Sequence, residues 1–200
     1  MKNHLSTHYE AQPGTLANQF LIAMPHLEDP WFNHTVTYLW KHNEEGALGI
    51  VINRPSTIRL AELLQQLDIE TEQRKGDILF HTQRVLNGGP VERNKGFILH
   101  NSGREWEYTL ALTPELSLSM SRDILADIAI GKGPDEFIVA LGCAGWDAGQ
   151  LEQEIADNVW LTTPALPTLI FSNDHAGKAE AAASIIGIRL SQLSSFAGHS

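Results

Sequence analysis

The chain has 200 residues, 42% of them apolar and 19% charged, with a formal net charge of −10 at pH 7 and one cysteine. Length and composition suit one globular domain with a core of its own and exclude a disordered chain. The single Cys143 excludes an internal disulfide and a cysteine-based zinc cluster, and an acidic balance with scattered Lys and Arg argues against non-specific nucleic-acid binding.

Residues 1–17 show no hydrophobic periodicity and contain the breaker Pro13-Gly14, so they read as a flexible lead-in without a secretory h-region. No apolar run is long enough to span a bilayer, which makes the cytoplasm the expected compartment. One domain is expected over residues 18–200. It begins with a buried strand at 19–24 (QFLIAM). Asp29 before Pro30 predicts a capped helical turn over 30–34. Val36, Tyr38 and Trp40 alternate over 35–40, and 47–53 is a nearly continuous apolar strand; the KHNEEG link predicts a hairpin between them.

Ser56 or Thr57 is the expected cap of a helix on which Leu60, Ala61, Leu63, Leu64 and Leu67 recur at helical spacing. Residues 68–76 are polar and read as a loop. Strands are predicted over 77–81, ending near Leu86, over 96–100 and over 106–112. In the last of these, Trp106, Tyr108, Leu110 and Leu112 share a face. A helix over 121–130 ends at Gly131. Then come a strand at 137–141, a helix at 147–157, strands at 159–163 and 168–172, and an Ala-rich core helix at 176–186 ended by Gly187. Strands in groups with helices between them predict an α+β fold rather than a doubly wound sheet.

Two segments invite a functional reading. Asn87, Gly88, Gly89 and Pro90 form a tight turn whose amides could cradle an anion, although no Gly-Lys-Ser/Thr follows. Residues 142–152 (GCAGWDAGQLE) run from a strand through small residues and Trp146 into a helix start, with Asp147 as its expected cap. Cys143 stands there without the G-x-S-x-G spacing or a histidine placed beside it, so a small buried hydrophobe is the better reading than a nucleophile. Nine histidines form no paired metal-ligand motif within a predicted element, and HEXXH is absent. Glu152 and Glu154, two apart, face different sides of their helix and read as a solvated surface.

FLIAMPHLEDPWF, NEEGALGIVINRP, NGGPV followed by GFILH, AGWDAGQLEQEIADNVWL and the terminal AGHS occur in that order. With these motifs the chain resembles the YqgE/AlgH family of bacterial proteins from about Asn18 to its end. It departs from the family pattern at Cys143, where Tyr is usual, and at Asp147-Ala148, where a smaller, more Gly/Pro-like pair is common. The resemblance implies a mixed, branched β-sheet partly closed into a small barrel, consistent with the four or five helices read above. It implies no set chemistry; some members are called transcriptional regulators through a link to alginate production. No helix-turn-helix pattern is present here.

The expectation is therefore a non-enzymatic regulatory protein with no catalytic residue, metal or cofactor, working through a protein partner or a bound small ligand. The alternative is an enzyme or binder for an anionic small molecule. Its site would need Asn53 and Arg54, Asn87, Gly88 and Gly89, and Gly145, Trp146, Gly149 and Gln150 to converge. Arg54 would be the fixed cation.

Overall fold

The computed structural model describes residues 14–71, 77–101 and 103–193. The first 13 residues of the expected lead-in lie outside this set, as do 72–76 of the expected loop and the terminal AGHS motif. Thr15, Leu16 and Ala17, expected in the lead-in, are tied down: the Thr15 hydroxyl donates to the His42 carbonyl and the Leu16 amide donates to His42 Nδ1.

Strand β1 (Gln19–Ala23) is followed by β2 (Val36–Asn43), β3 (Gly46–Val51) and β4 (Pro55–Arg59). Next come α1 (Leu60–Gln66), α2 (Ile78–Thr82), β5 (Arg84–Asn87), β6 (Val91–Asn101), β7 (Thr109–Thr113) and β8 (Leu116–Ser119). The chain continues with α3 (Arg122–Ala129), β9 (Phe137–Asp147), α4 (Gln150–Ala156) and β10 (Trp160–Pro164). Short helices α5 (Pro167–Ile170), α6 (Lys178–Ser184) and α7 (Leu190–Leu193) complete it. The main path of the sheet runs β10-β1-β2-β3-β9-β6-β8-β7, with β4 and β5 branching from it. Every pairing is antiparallel except β5 with β9, so the sheet is mixed. The fold is α+β, a curled half-barrel of sheet with helices around it.

Both faces of the sheet are covered, which is why strands such as QFLIAM read as unbroken apolar runs. Phe20 and Ile22 point into the main core inside the curl with Tyr38, Ile50, Phe97 and Leu118, while Leu21 and Ala23 point outward to Trp146, Leu151 and Trp160. A second outer cluster packs α1, α2 and α3 against Ile98 and Val139. In β9, Ile138 and Ala140 face the main core, and so does Cys143, three residues on. Gly142 makes this possible: its φ of 75 breaks the alternation, so the facing of the rest of the strand is inverted.

Seven helices are described where four or five were expected, and two of them replace predicted strands. Residues 77–81 begin α2 because Asp77 caps the turn, its Oδ1 accepting from the Phe80 amide at 3.0 Å. A three-residue apolar run, residues 78–80, carries no period that tells strand from helix. Residues 168–172 largely fall in α5, started by Pro167 at its first turn. The strand predicted from Trp106 begins only at Thr109: Tyr108 sits at φ 52 and is 76% exposed, so Trp106 and Tyr108 share no face with Leu112. Residues 55–59 pair with β5 rather than capping a helix, and Arg59 is the N-cap of α1, its amide donating to Glu62 at 2.9 Å. Strand β9 runs on to Asp147, so Asp147 is no helix cap; Gly149 holds that position. No helix among the described residues is long and apolar enough to cross a membrane.

Candidate functional site

Strand β9 offers one edge to two partners. Its second half pairs with β3, and Leu141 and Ala140 pair with β5. Where β3 leaves and β5 arrives, the sheet forks, and the turn after β5 fills the fork. The Gly88 amide donates to the Leu141 carbonyl at 2.8 Å, and the Gly88 carbonyl accepts from the Val51 amide at 2.9 Å. The Asn87 amide donates to the Arg54 carbonyl at 2.8 Å. A Cβ on Gly88 would stand 2.2 Å from the Gly142 carbonyl oxygen, and one on Gly89 2.3 Å from the Cys143 carbonyl. Two of the three proposed segments, Asn53-Arg54 and the Asn87 turn, thus meet, and they meet through backbone.

The side chains of Asn53 and Arg54 point to the connection between β1 and β2. Arg54 donates to the Pro30 carbonyl at 2.8 Å, to the Trp31 carbonyl, and to Asn33 Oδ1 at 3.0 Å. Asn53 donates to the His34 carbonyl at 2.9 Å and accepts from the Val36 amide at 2.8 Å. Asp29 Oδ1 accepts from the amides of Trp31 and Phe32, the capping expected of it, on a turn rather than a helix. The guanidinium fork of Arg54 is therefore occupied by three oxygens of the protein. From below, the Phe32 ring packs on Trp146 and Trp160, with centroids 5.9 and 5.6 Å away. On the outer side, the Arg93 guanidinium lies 5.1 Å from the centre of the Trp31 ring. Arg93 belongs to an excursion of β6: between the Val91–Cys143 and Gly96–Leu141 pairs, β6 spends five residues where β9 spends two. The result is a surface turn held from three sides, with a Trp–Arg stack on it.

The third segment divides. Gly145 faces Leu48 and Val91 with ordinary clearance beside the fork. Trp146 is buried in the outer aromatic cluster. Gly149 and Gln150 lie past the far end of β9, next to the β2–β3 turn, where Gln150 Oε1 accepts from the Asp147 amide at 3.0 Å. The two glutamates of α4 have separate duties. Glu152 accepts from His42 Nε2 at 2.8 Å, since Nδ1 of that ring already accepts from Leu16. Glu154 Oε2 accepts from both indoles, Trp146 at 2.8 Å and Trp160 at 2.7 Å. Replacing Glu154 by Ala strands two indole donors and is expected to lower stability by about 2–4 kcal/mol, with Glu154→Gln costing less. Urea unfolding followed by tryptophan fluorescence measures both; equal losses would show that the acceptor oxygens are not what matters.

Buried titratable groups complete the picture. The Cys143 thiol is pushed up to about 11 by burial and then by the Glu92 carboxylate, which favours the protonated thiol at neutral pH. His100 is fully buried; its Nδ1 bonds the Asn101 carbonyl and its Nε2 bonds Ser119 Oγ at 2.9 Å, and burial favours the neutral ring. Sequence reasoning missed Lys178 altogether. It opens α6 at 1% exposure, and its Nζ donates to the carbonyls of Ile52 at 2.9 Å and Ile170 at 2.8 Å. Burial lowers its pKa to about 8, against a small opposing pull from Asp174. Beside it His175 keeps a buried Nδ1 without a partner, and burial and then the Lys178 ammonium lower its pKa. The available signal was a lysine among small residues in AGKAEAAAS, which also suits a solvated helix start. Among the described residues no group of His, Cys, Asp or Glu is placed to hold a metal.

The chain matches the AlgH-like family over residues 20–191. The chain belongs to that family. The UPF0301 protein AlgH of Pseudomonas aeruginosa is 48% identical over 194 residues, covering 95% of this chain and 98% of the relative. A UPF0301 protein of Shewanella oneidensis is 48% identical over 185 residues, covering 92% and 98%. The solution structure of the AlgH protein from Pseudomonas aeruginosa superposes with a TM-score of 0.76 at 46% identity, covering 96% of this chain and all of that one. A crystal structure of a protein from Corynebacterium diphtheriae shares the fold, with a TM-score of 0.70 at 18% identity over 94% of each chain. The segments DPWF, INRP, NGGP and AGW of this chain occupy the fork and the turn it holds.

Proposed function

We propose that this AlgH-like protein is a non-enzymatic regulator of the cytoplasm that acts through a protein partner, docked on the surface of Trp31 and Arg93. The observation that carries the reading is the stack of those two side chains on a turn fixed by Asp29, Asn53, Arg54 and Phe32. Trp and Arg are the residues that most often dominate protein interfaces. A turn already held in one conformation loses little freedom on binding, so more of the contact energy appears as affinity. Arg93 offers a guanidinium to a carboxylate of the partner. The net charge of −10 disfavours direct contact with DNA, so any effect on transcription runs through that partner.

The test is capture from a lysate of the source bacterium with the wild-type chain, Trp31→Ala and Arg93→Glu. Proteins held by the wild type should be lost from both variants, with thermal unfolding unchanged within a few degrees. Identical recovery by all three chains would overturn the reading.

A further inference from the structure

A half-barrel does not close, so its sheet keeps edges. Among the described residues three strands have a single strand partner: β10, β4 and β7. Unpaired amides and carbonyls along an edge invite another strand, and proteins cover such edges, end them with proline or occupy their polar groups. Two of the three are protected in this way. β10 ends in Pro164 and packs against α6. β4 begins at Pro55, Arg84 donates to the Ser56 carbonyl at 3.1 Å, and the Ser56 hydroxyl accepts from the Ile58 amide at 3.1 Å.

Strand β7 has none of these devices. Its sequence, TLALT, holds no proline and no charge, and β8 is the one described element in extended contact with it. Its backbone makes no hydrogen bond to any described segment besides β8. The register against β8 shifts only past Ala111, so Thr109, Leu110 and Ala111 present a regular edge. Ala111 is exposed and Leu110 half-buried. Leu110 and Leu112 both turn to the main core, so a strand laid beside β7 continues that core with its own alternate residues. Glu107 and Glu115, both exposed, stand two residues beyond either end of β7, and neither has an ionic partner among the described residues. An uncharged edge therefore lies open between two free carboxylates.

We propose that β7 takes up an extended segment of a partner protein as an added strand, uncharged and β-branched along the edge, with a Lys or Arg at each end. Main-chain hydrogen bonds supply the affinity, and the alternate side chains and the two glutamates supply the selection. The same glutamates disfavour a second copy of this chain. Two β7 strands paired antiparallel about Ala111 would set Glu107 against Glu115 at both ends, between molecules that each carry −10. Strands β6 and β8 separate β7 from β9 and its fork, so this edge is independent of the Trp31 surface proposed above.

Synthetic peptides titrated into the isotope-labelled chain and followed by NMR test this. The first is Lys-Ser-Thr-Val-Thr-Val-Thr-Ser-Lys; the second carries Glu at both ends; the third keeps both lysines on a run of glycines. The first should shift the backbone amides of residues 109–113 and slow the hydrogen exchange of alternate ones. It should bind at least about fivefold more tightly than the Glu-ended peptide at low salt, a margin that narrows as salt is added. The glycine peptide has the charges without strand-forming side chains and should bind at least about tenfold more weakly than the first. In a chain carrying both Glu107→Lys and Glu115→Lys, the Glu-ended peptide should become the tighter of the two charged forms. Absence of shifts in β7, equal affinity for all three peptides, or an order unchanged by the double substitution would each overturn the proposal. So would slowed exchange of the β7 amides with rising concentration of the chain alone, which would give the edge to a second copy.

Discussion

Gly89→Ala is expected to cost about 4 kcal/mol or more, enough to unfold a chain of ordinary stability. Two independent terms act together. Residue 89 sits at φ 151, a conformation L side chains rarely adopt, and its added methyl would stand 2.3 Å from the Cys143 carbonyl, in the fork where no backbone can give way. Gly149→Ala is the control. It also has positive φ, at 75, but nothing lies within 4 Å of its added carbon, so only the left-handed penalty of about 1–2 kcal/mol applies. Thermal and urea unfolding of both variants read the difference. Similar losses at the two positions would mean that close approach at the fork is not what the NGGP turn supplies.

Lys178 should make stability rise with pH through a window where most proteins lose it. Its folded pKa is about 8, against 10.5 for the free side chain. Below pH 8 both states carry the proton, and the folded state bears the full cost of burying the charge. Between 8 and 10.5 the unfolded chain still holds the proton that the folded chain has released, so unfolding becomes less favourable as pH rises. Relative to Lys178→Met, the wild type should gain about 2–3 kcal/mol between pH 7 and pH 10. Taking the difference cancels the titrating groups that Lys178 does not touch, and the neighbouring His175, already held low by burial, changes little in this window. The absolute effect of the substitution is a separate matter, since Met removes a buried charge but leaves the Ile52 and Ile170 carbonyls without their donor. A pH-independent difference between the two chains would show that Lys178 titrates as if exposed.

Much of the local structure was legible because short-range rules set it. Asp29 does accept from the Trp31 and Phe32 amides, Gly131 and Gly187 do follow helices at φ 75, and the Asn43 and Gly46 turn does close a hairpin. The misses have a common cause. In a sheet buried on both faces the strands lose their alternation, so a run such as ILFH looks the same whether it becomes strand or helix; LSLS at β8 does alternate, with Leu116 and Leu118 both in the main core, a strand signal the sequence reading passed over. Long-range pairing decided them.

The candidate site divides along the same line. By itself the sequence determined which residues are unusual: glycines with no helical or strand role at 88 and 89, an Asn-Arg-Pro stop after β3, and Trp146 among small residues. It also determined the family, because those motifs occur in a set order. Only the tertiary structure decided what they do. It joined residue 87 to 54 and residue 88 to 141 through backbone hydrogen bonds, turned the Arg54 guanidinium onto the Trp31 turn, and sent Gly149 and Gln150 to the other end of β9. Lys178 shows the reason most plainly. Its acceptors, the carbonyls of residues 52 and 170, belong to the backbone, so no side-chain pattern along the chain announces them.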